Sequence, residues 1–298
     1  MVRLGISSMF FGNIDLDEFF TLISKHEEIE IVDIWYDTPF FLLRNESARE
    51  KIIEKIKNYK ESGNFETISH VASVDINPVA YNPENRKFSL NEVKKSIRFA
   101  NNINSKYVSV HGGYSSFNRR FSHYDVEFYM EFLDDLTIFI KDTRLDIQVC
   151  IENDAATPSM IRPLESLSMI EDILNDYPLI GMTLDLAHVL KSTWTRDSFK
   201  VEGDRLDFEH LNEFLKKYCH RVKVVHASYP NENTTHGRID FTDEIYFLFI
   251  IKILLNYMKR EDLNVIFEYT LDEKESEDAS LGMILEDFTK FKKILGVE

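Results

Sequence analysis

Val222-Lys223-Val224-Val225-His226 is a short β-branched run that ends on an imidazole, and the arrangement recurs along the chain. Thr67-Ile68-Ser69-His70, Tyr107-Val108-Ser109-Val110-His111, Gln148-Val149-Cys150-Ile151-Glu152, Met182-Thr183-Leu184-Asp185 and Val265-Ile266-Phe267-Glu268 each close on a metal-competent side chain. Runs of this kind separated by helical patterns predict parallel strands in βα units. In a barrel of such units every strand points the same way, so residues that end the strands converge on one rim. Side chains scattered from His70 to Glu268 are therefore expected to meet in one pocket.

Two more runs, Arg3 to Ser8 and Glu30 to Trp35, bring the strands to eight. Helical patterns lie between them. Asp15 to Lys25 aligns Leu16, Phe19, Phe20 and Ile23 on one face, and Ser47 to Lys60 groups Ile52, Ile53 and Ile56 before a C-cap at Gly63-Asn64. Ser89-Leu90-Asn91-Glu92 reads as a capping box opening the helix that carries Val93, Ile97 and Ala100. Tyr124 to Asp142, Ser166 to Asp176, Asp207 to Tyr218 and Thr242 to Lys259 follow the same pattern, and a last helix runs from Leu281 to Leu295 with Ser280 as its N-cap. The acidic run Asp272 to Asp278 reads as a solvated loop. The expected architecture is α/β, a single (β/α)8 TIM barrel over residues 1–298, with a metal site at the C-terminal ends of the strands.

Charge narrows the function classes. Acidic side chains number 51 against 35 basic ones, for a formal net charge of −16. That balance disfavours general nucleic-acid binding and favours gathering divalent cations. No leader pattern opens the chain, and the apolar stretch Ile245 to Tyr257 is too short for a bilayer and contains Lys252. Cys150 and Cys219 offer no disulfide framework, so a reducing cytoplasm is expected.

Glu152, Asp185, His226 and Glu268 mix carboxylates with an imidazole, a donor set suited to zinc, manganese or cobalt and less to magnesium. A single strand-ending histidine is more often structural; six metal-competent groups at one position of a repeat point to a metal. His188 follows Asp185 by three residues, which places both on one side if the chain turns helical there. His236 lies in the polar loop 231–240 after the seventh strand, and Asn153 either hydrogen-bonds substrate or holds its loop. His26, His123, His210 and His220 fall on or beside helices and read as surface groups.

Six motifs resemble the xylose-isomerase-like TIM-barrel superfamily, which includes endonuclease IV, ketose 3-epimerases and sugar phosphate isomerases. They are Val108-Ser109-Val110-His111-Gly112-Gly113, Ile151-Glu152-Asn153-Asp154, Leu184-Asp185-Leu186-Ala187-His188, Val224-Val225-His226-Ala227-Ser228, His236-Gly237-Arg238-Ile239-Asp240-Phe241 and Phe267-Glu268. Resemblance to the epimerase branch implies one divalent ion on Glu152, Asp185, His226 and Glu268, with the two glutamates as an acid–base pair. Resemblance to the endonuclease IV branch implies up to three zinc ions: the first on His70, His111 and Glu152, the second on the four residues above, the third on His188 and His236. That third site is expected to be weak, empty or completed by water, because Thr234 stands where the branch has an aspartate.

DNA is the less expected partner. Val71 to Pro78 lacks the aromatic and leucine wedge of endonuclease IV, and Arg119-Arg120 is the only paired basic candidate near the rim. The expected activity is a metal-dependent isomerase or epimerase of a small sugar or sugar phosphate, with zinc or manganese as cofactor and one to three ions. A zinc phosphodiesterase of the endonuclease IV type and a non-catalytic metal-binding barrel are the alternatives. Arg238, Asn153 and Tyr36 are candidate substrate contacts; Phe10 and Phe11 are candidates for the cleft wall or the core. A homodimer is compatible with such barrels, although no sequence feature requires one.

Overall fold

Val2–Ser7 (β1), Ile31–Trp35 (β2), Glu66–His70 (β3), Tyr107–Val110 (β4), Gln148–Glu152 (β5), Gly181–Asp185 (β6), Val222–Ala227 (β7) and Leu263–Phe267 (β8) pair in parallel, each with the next, and β8 closes on β1. The computed structural model describes residues 2–11, 14–38, 46–63, 65–114, 123–154, 173–189, 208–230, 234, 236–239, 241, 251–252, 255–256, 263–270 and 276–296. Among them run the helices Leu16–Ile23 (α1), Glu46–Gly63 (α2), Pro83–Asn102 (α3), His123–Thr143 (α4), Phe208–Tyr218 (α5) and Glu277–Leu295 (α6). The barrel is the (β/α)8 architecture that the strand runs predict. No helix among the described residues is long and apolar enough to cross a membrane.

Strand parity decides which side chains enter the barrel. Successive residues of a strand point to opposite faces. Ile31, Ile68, Val224 and Ile266 form an apolar cluster of their own, separate from the main core. Each of the last three lies two residues before His70, His226 or Glu268, so the apolar floor and the polar rim share one inward parity. Gly5 makes the floor possible, because a Cβ there would collide with the Ile31 carbonyl and the Ile266 side chain. Ser109 and Thr183, two residues before His111 and Asp185, join hydroxyls at 2.8 Å between floor and rim.

The opposite parity faces the helices. Helix α1 buries Leu16, Phe19, Phe20 and Ile23, as its spacing predicts, and starts on a capping box of Asp15 and Glu18. Phe20 stacks on Tyr59 of α2 at 4.8 Å and on Phe65 at 5.7 Å, which ties two helices to the entry of β3. Removing such a buried ring typically costs about 3–5 kcal/mol.

Two predicted helix starts are corrected. Helix α3 begins at Pro83 with Asn82 as N-cap, whose side chain accepts from Glu84 N and Asn85 N. Ser89 is therefore internal and buried, and its hydroxyl accepts from Asn77 N at 2.9 Å. The earlier Asn82-Pro83 pair is the stronger signal, since proline at the first helical position loses no hydrogen bond. Helix α6 begins at Glu277 on Ser276, and Ser280 is buried within it. Glu277 and Asp278 of the acidic run thus occupy its first turn, where negative charge complements the helix dipole. At the strands, β1 gives way to a 3-10 turn at Ser8, whose hydroxyl accepts from Trp35 N, and β2 starts at Ile31. The predicted helices 166–176 and 242–259 fall largely outside the described residues; 173–176, 251–252 and 255–256 are helical.

Candidate metal centre

Glu152 and Asp185 end β5 and β6, His226 lies near the end of β7, and Glu268 follows β8; one ligand atom from each falls within 4.8 Å of the others. His70, His111 and Glu152 form a second such group, and Asp185, His188 and His236 a third. All six strand-end residues meet in one place, joined by His188 and His236. Glu152 and Asp185 each serve two groups. Glu152, Asp185, His226 and Glu268 are buried to within 2% exposure, so water cannot screen their charges.

Local hydrogen bonds orient these side chains. His70 Nδ1 donates to the Val71 carbonyl at 2.9 Å, which leaves Nε2 facing Glu152 at 3.2 Å. His226 Nδ1 lies 2.9 Å from the other Glu152 oxygen and 3.4 Å from Glu268. The chain turns helical over 186–189, directly after β6. Asp185 starts that turn by accepting from His188 N at 2.6 Å on one oxygen, so its second oxygen remains for an ion. His188 Nδ1 donates to the Asn153 carbonyl at 3.0 Å. His236 Nδ1 meets the Ser228 hydroxyl at 3.1 Å, and its ring lies edge-on to His188.

Burial and charge pull the ionisable groups apart. Burial pushes Glu152 up, but His226 and His111 and hydrogen bonds from His226 and His70 outweigh it, and its pKa falls well below the ordinary range. Burial raises Glu268 to about 8, reinforced by Glu152 against the opposing effect of His226. Burial likewise raises Asp185 to about 6. His226 resists burial because Glu152 and Glu268 hold it well above its usual value, and Asp185 and Asp154 lift His188 to about 9. Burial and the neighbouring His188 depress His236 to about 3, and burial lowers His111.

A divalent ion fits this cage. Asp185 Oδ2 and Glu268 Oε1 are buried with no hydrogen-bond partner among the described residues. Orphaned acceptors clustered among buried carboxylates require protons or a cation, and mixed oxygen and imidazole donors suit zinc or manganese. The Thr234 hydroxyl has other partners: it accepts from His236 N at 3.1 Å and meets Thr270 at 2.9 Å.

The candidate substrate contacts each have partners within the protein. The Arg238 guanidinium forms two 2.8 Å bonds to Asp287 of α6. The Asn153 amide brackets Asp185, donating to its carbonyl at 2.9 Å and accepting from its N–H at 2.8 Å, which is the loop-holding use. Tyr36 is buried edge-on against Phe99 of α3, with Arg49 of α2 over its ring, and Phe11 packs on Phe19 in the core. The Phe10 side chain and Arg119-Arg120 lie outside the described residues. Of the remaining histidines, His26 is half-buried and His220 exposed; the side chains of His123 and His210 also fall outside the description.

Sequence reasoning passed over two site residues. Trp35 stacks face to face on His70, centroids 3.7 Å apart and planes 8° from parallel. Asp33, wholly buried on β2, feels the charges of His226, His70 and Glu152. The period-2 pattern of Ile31, Asp33 and Trp35 carried the signal.

Comparison with known proteins agrees with this architecture. The uncharacterized protein MJ1188 of Methanocaldococcus jannaschii is 26% identical over 279 residues, covering 93% of this chain and 91% of the relative. The crystal structure of a D-tagatose 3-epimerase-like protein superposes with a TM-score of 0.71 at 17% identity, covering 97% of each chain. An L-ribulose 3-epimerase gives 0.67 at 12% identity, covering 99% of this chain and 98% of that one. At such identities the structures speak for the fold alone. The model of the xylose isomerase-like TIM barrel family matches residues 12–281, and the chain belongs to that family.

Proposed function

We propose that the protein is a divalent-metal-dependent isomerase or epimerase of a small sugar or sugar phosphate. The observation that carries this reading is the placement of Glu152 and Glu268, from β5 and β8, in one ligand group with Asp185 and His226. A divalent ion held there would supply Lewis acidity toward a substrate's carbonyl and hydroxyl oxygens, which would acidify the adjacent C–H bond. Glu152 and Glu268 reach that bond from different strands, so one removes the proton and the other returns it. Their environments drive their proton affinities in opposite directions, as an acid–base pair requires. Asp185 and His226 serve as ligands, and His188 and His236 orient the substrate at the more open edge. The 3-epimerases among the structural neighbours support the substrate class.

The test is solvent deuterium incorporation across a panel of ketoses and ketose phosphates with zinc- or manganese-loaded protein. Turnover with label at the carbon beside the carbonyl is expected. Glu268→Gln should abolish it, while His70→Ala and His111→Ala keep much of it.

A second reading rests on the two additional ligand groups. His70 and His111 beside Glu152 support a multinuclear zinc site that activates water against a phosphoester. Under that reading His111→Ala costs as much as Glu268→Gln, and turnover is found on abasic DNA or phosphodiesters instead.

A further inference from the structure

One aromatic ring lies against the site from a strand that gives it no ligand. Trp35 ends β2, and no described residue of that strand belongs to the three ligand groups. The strand register sets Trp35 opposite His70, and Tyr36 N donates to the His70 carbonyl at 3.0 Å. The two rings stack with centroids 3.7 Å apart and planes 8° from parallel, so the indole is in van der Waals contact with one face of the imidazole. Both residues are buried.

The indole is tied down by its own backbone. Trp35 N donates to the Ser8 hydroxyl at 2.9 Å, and its carbonyl accepts from Thr38 N at 3.2 Å and from the Thr38 hydroxyl at 2.5 Å. His70 is held at one corner, where Nδ1 donates to the Val71 carbonyl at 2.9 Å, and its Nε2 faces Glu152 at 3.2 Å. The His111 ring stands 4.9 Å away, tilted by 45°. Turning the imidazole about its Cβ–Cγ bond would swing an edge out of the stacking plane and into an indole already at contact distance. The Val71 bond fixes one corner of the ring, and the indole fixes its plane.

We infer that Trp35 is a positioning residue for His70, a flat plate that keeps Nε2 turned toward Glu152 and so sets how well the His70, His111 and Glu152 group holds a divalent ion. This rests on the reading of the site as a metal centre. A ligand whose rotamer is locked by packing binds without first having to be ordered, and the residues that lock it act on affinity without touching the ion. The effect is specific to one group, because His70 takes no part in the other two.

The experiment compares wild type, Trp35→Leu, Trp35→Phe, His70→Ala and the double variant Trp35→Leu with His70→Ala. Zinc stoichiometry and affinity are measured by competition with a chromophoric chelator, and metal-free stability by chemical denaturation. The ion to follow is the one whose binding His70→Ala weakens. Trp35→Leu should weaken that ion about tenfold or more and leave any other within about threefold of wild type. Trp35→Phe, which keeps a flat ring, should recover most of the loss. The double variant should bind no worse than His70→Ala alone, because the indole acts through the imidazole. A role in packing alone would lower metal-free stability and leave the two losses additive. Trp35→Met, flexible and without a flat face, replaces Trp35→Leu if that variant does not fold. Additive losses, no recovery in Trp35→Phe or unchanged affinity in Trp35→Leu would overturn the inference and leave the metal centre standing, as would a wild type whose zinc His70→Ala does not disturb. Failure of wild type to bind zinc or manganese would overturn both.

Discussion

Glu152 and His226 meet at 2.9 Å between Oε1 and Nδ1, while the other oxygen of the same carboxylate lies 3.2 Å from His70 Nε2. One side chain thereby joins two ligand groups that are otherwise separate. Glu152→Gln should damage metal binding more broadly than a change at any residue that serves a single group. Elemental analysis after dialysis should show both groups depleted, with affinity lost beyond the roughly 10–100-fold typical of an outer partner. His111→Ala should empty only the group that contains it.

Protons and metal compete for the same atoms. In the metal-free protein burial raises Glu268 to about 8, Asp185 and Asp154 raise His188 to about 9, and Glu152 and Glu268 raise His226 well above its usual value. All three bind protons more tightly folded than unfolded, so metal-free stability should decline as pH rises from about 6.5 to about 9. Zinc affinity should move the opposite way and rise across that range, as fewer protons must be displaced. Calorimetry in buffers of different ionisation enthalpy would count the protons released; a flat pH profile with no release would contradict the assigned shifts.

Arg238 grips Asp287, a wholly buried acid on α6, and so anchors the loop that carries His236. Arg238→Ala leaves that carboxylate with only Lys290, at 3.2 Å, as a cationic partner among the described residues. The guanidinium is 38% exposed, so screening discounts the pair, and a loss of about 1–3 kcal/mol in chemical denaturation is expected. Lysine at this position should recover only part of it, because it cannot form the bidentate bond.

Gly113 has φ +95°, and a Cβ there would run into Asn77 Oδ1. That oxygen also accepts from Tyr114 N at 3.2 Å, pinning the segment after His111 to the loop after β3. Gly113→Ala should cost about 1–3 kcal/mol from backbone strain alone. It should also weaken the His70–His111–Glu152 group while sparing the four-residue one, a difference visible in metal content.

The convergence of the strand-end side chains was legible in the sequence because one short-range rule covers them all: a β-branched run, then a donor. His188 was legible for a similar reason, three residues from Asp185 across a turn. The protein partners of Arg238, Asn153 and Tyr36 were not, because Asp287, Asp185 and Phe99 are distant in sequence and no local pattern announces them. A donor-rich side chain near a pocket can point at substrate or at scaffold, and composition does not distinguish these. Asp33 and Trp35 form an intermediate case: strand parity places them inward, but they do not end a run in an obvious ligand. Ser89 and Ser280 misled because cap motifs are local and the earlier caps, Asn82 and Ser276, win once the chain packs.

The floor of Ile31, Ile68, Val224 and Ile266 makes the pocket a dead end. Whatever enters must leave by the same mouth. His226 is wholly buried at the closed end, whereas the side chains of His111 and His236 are 20% and 21% exposed nearer the opening. If more than one ion binds, the one held by Glu152, Asp185, His226 and Glu268 would be the last to exchange, because all four of those side chains are buried. Chelators would then strip the site in sequence, and the residence time of the deepest ion would be set by its neighbours as much as by its own ligands.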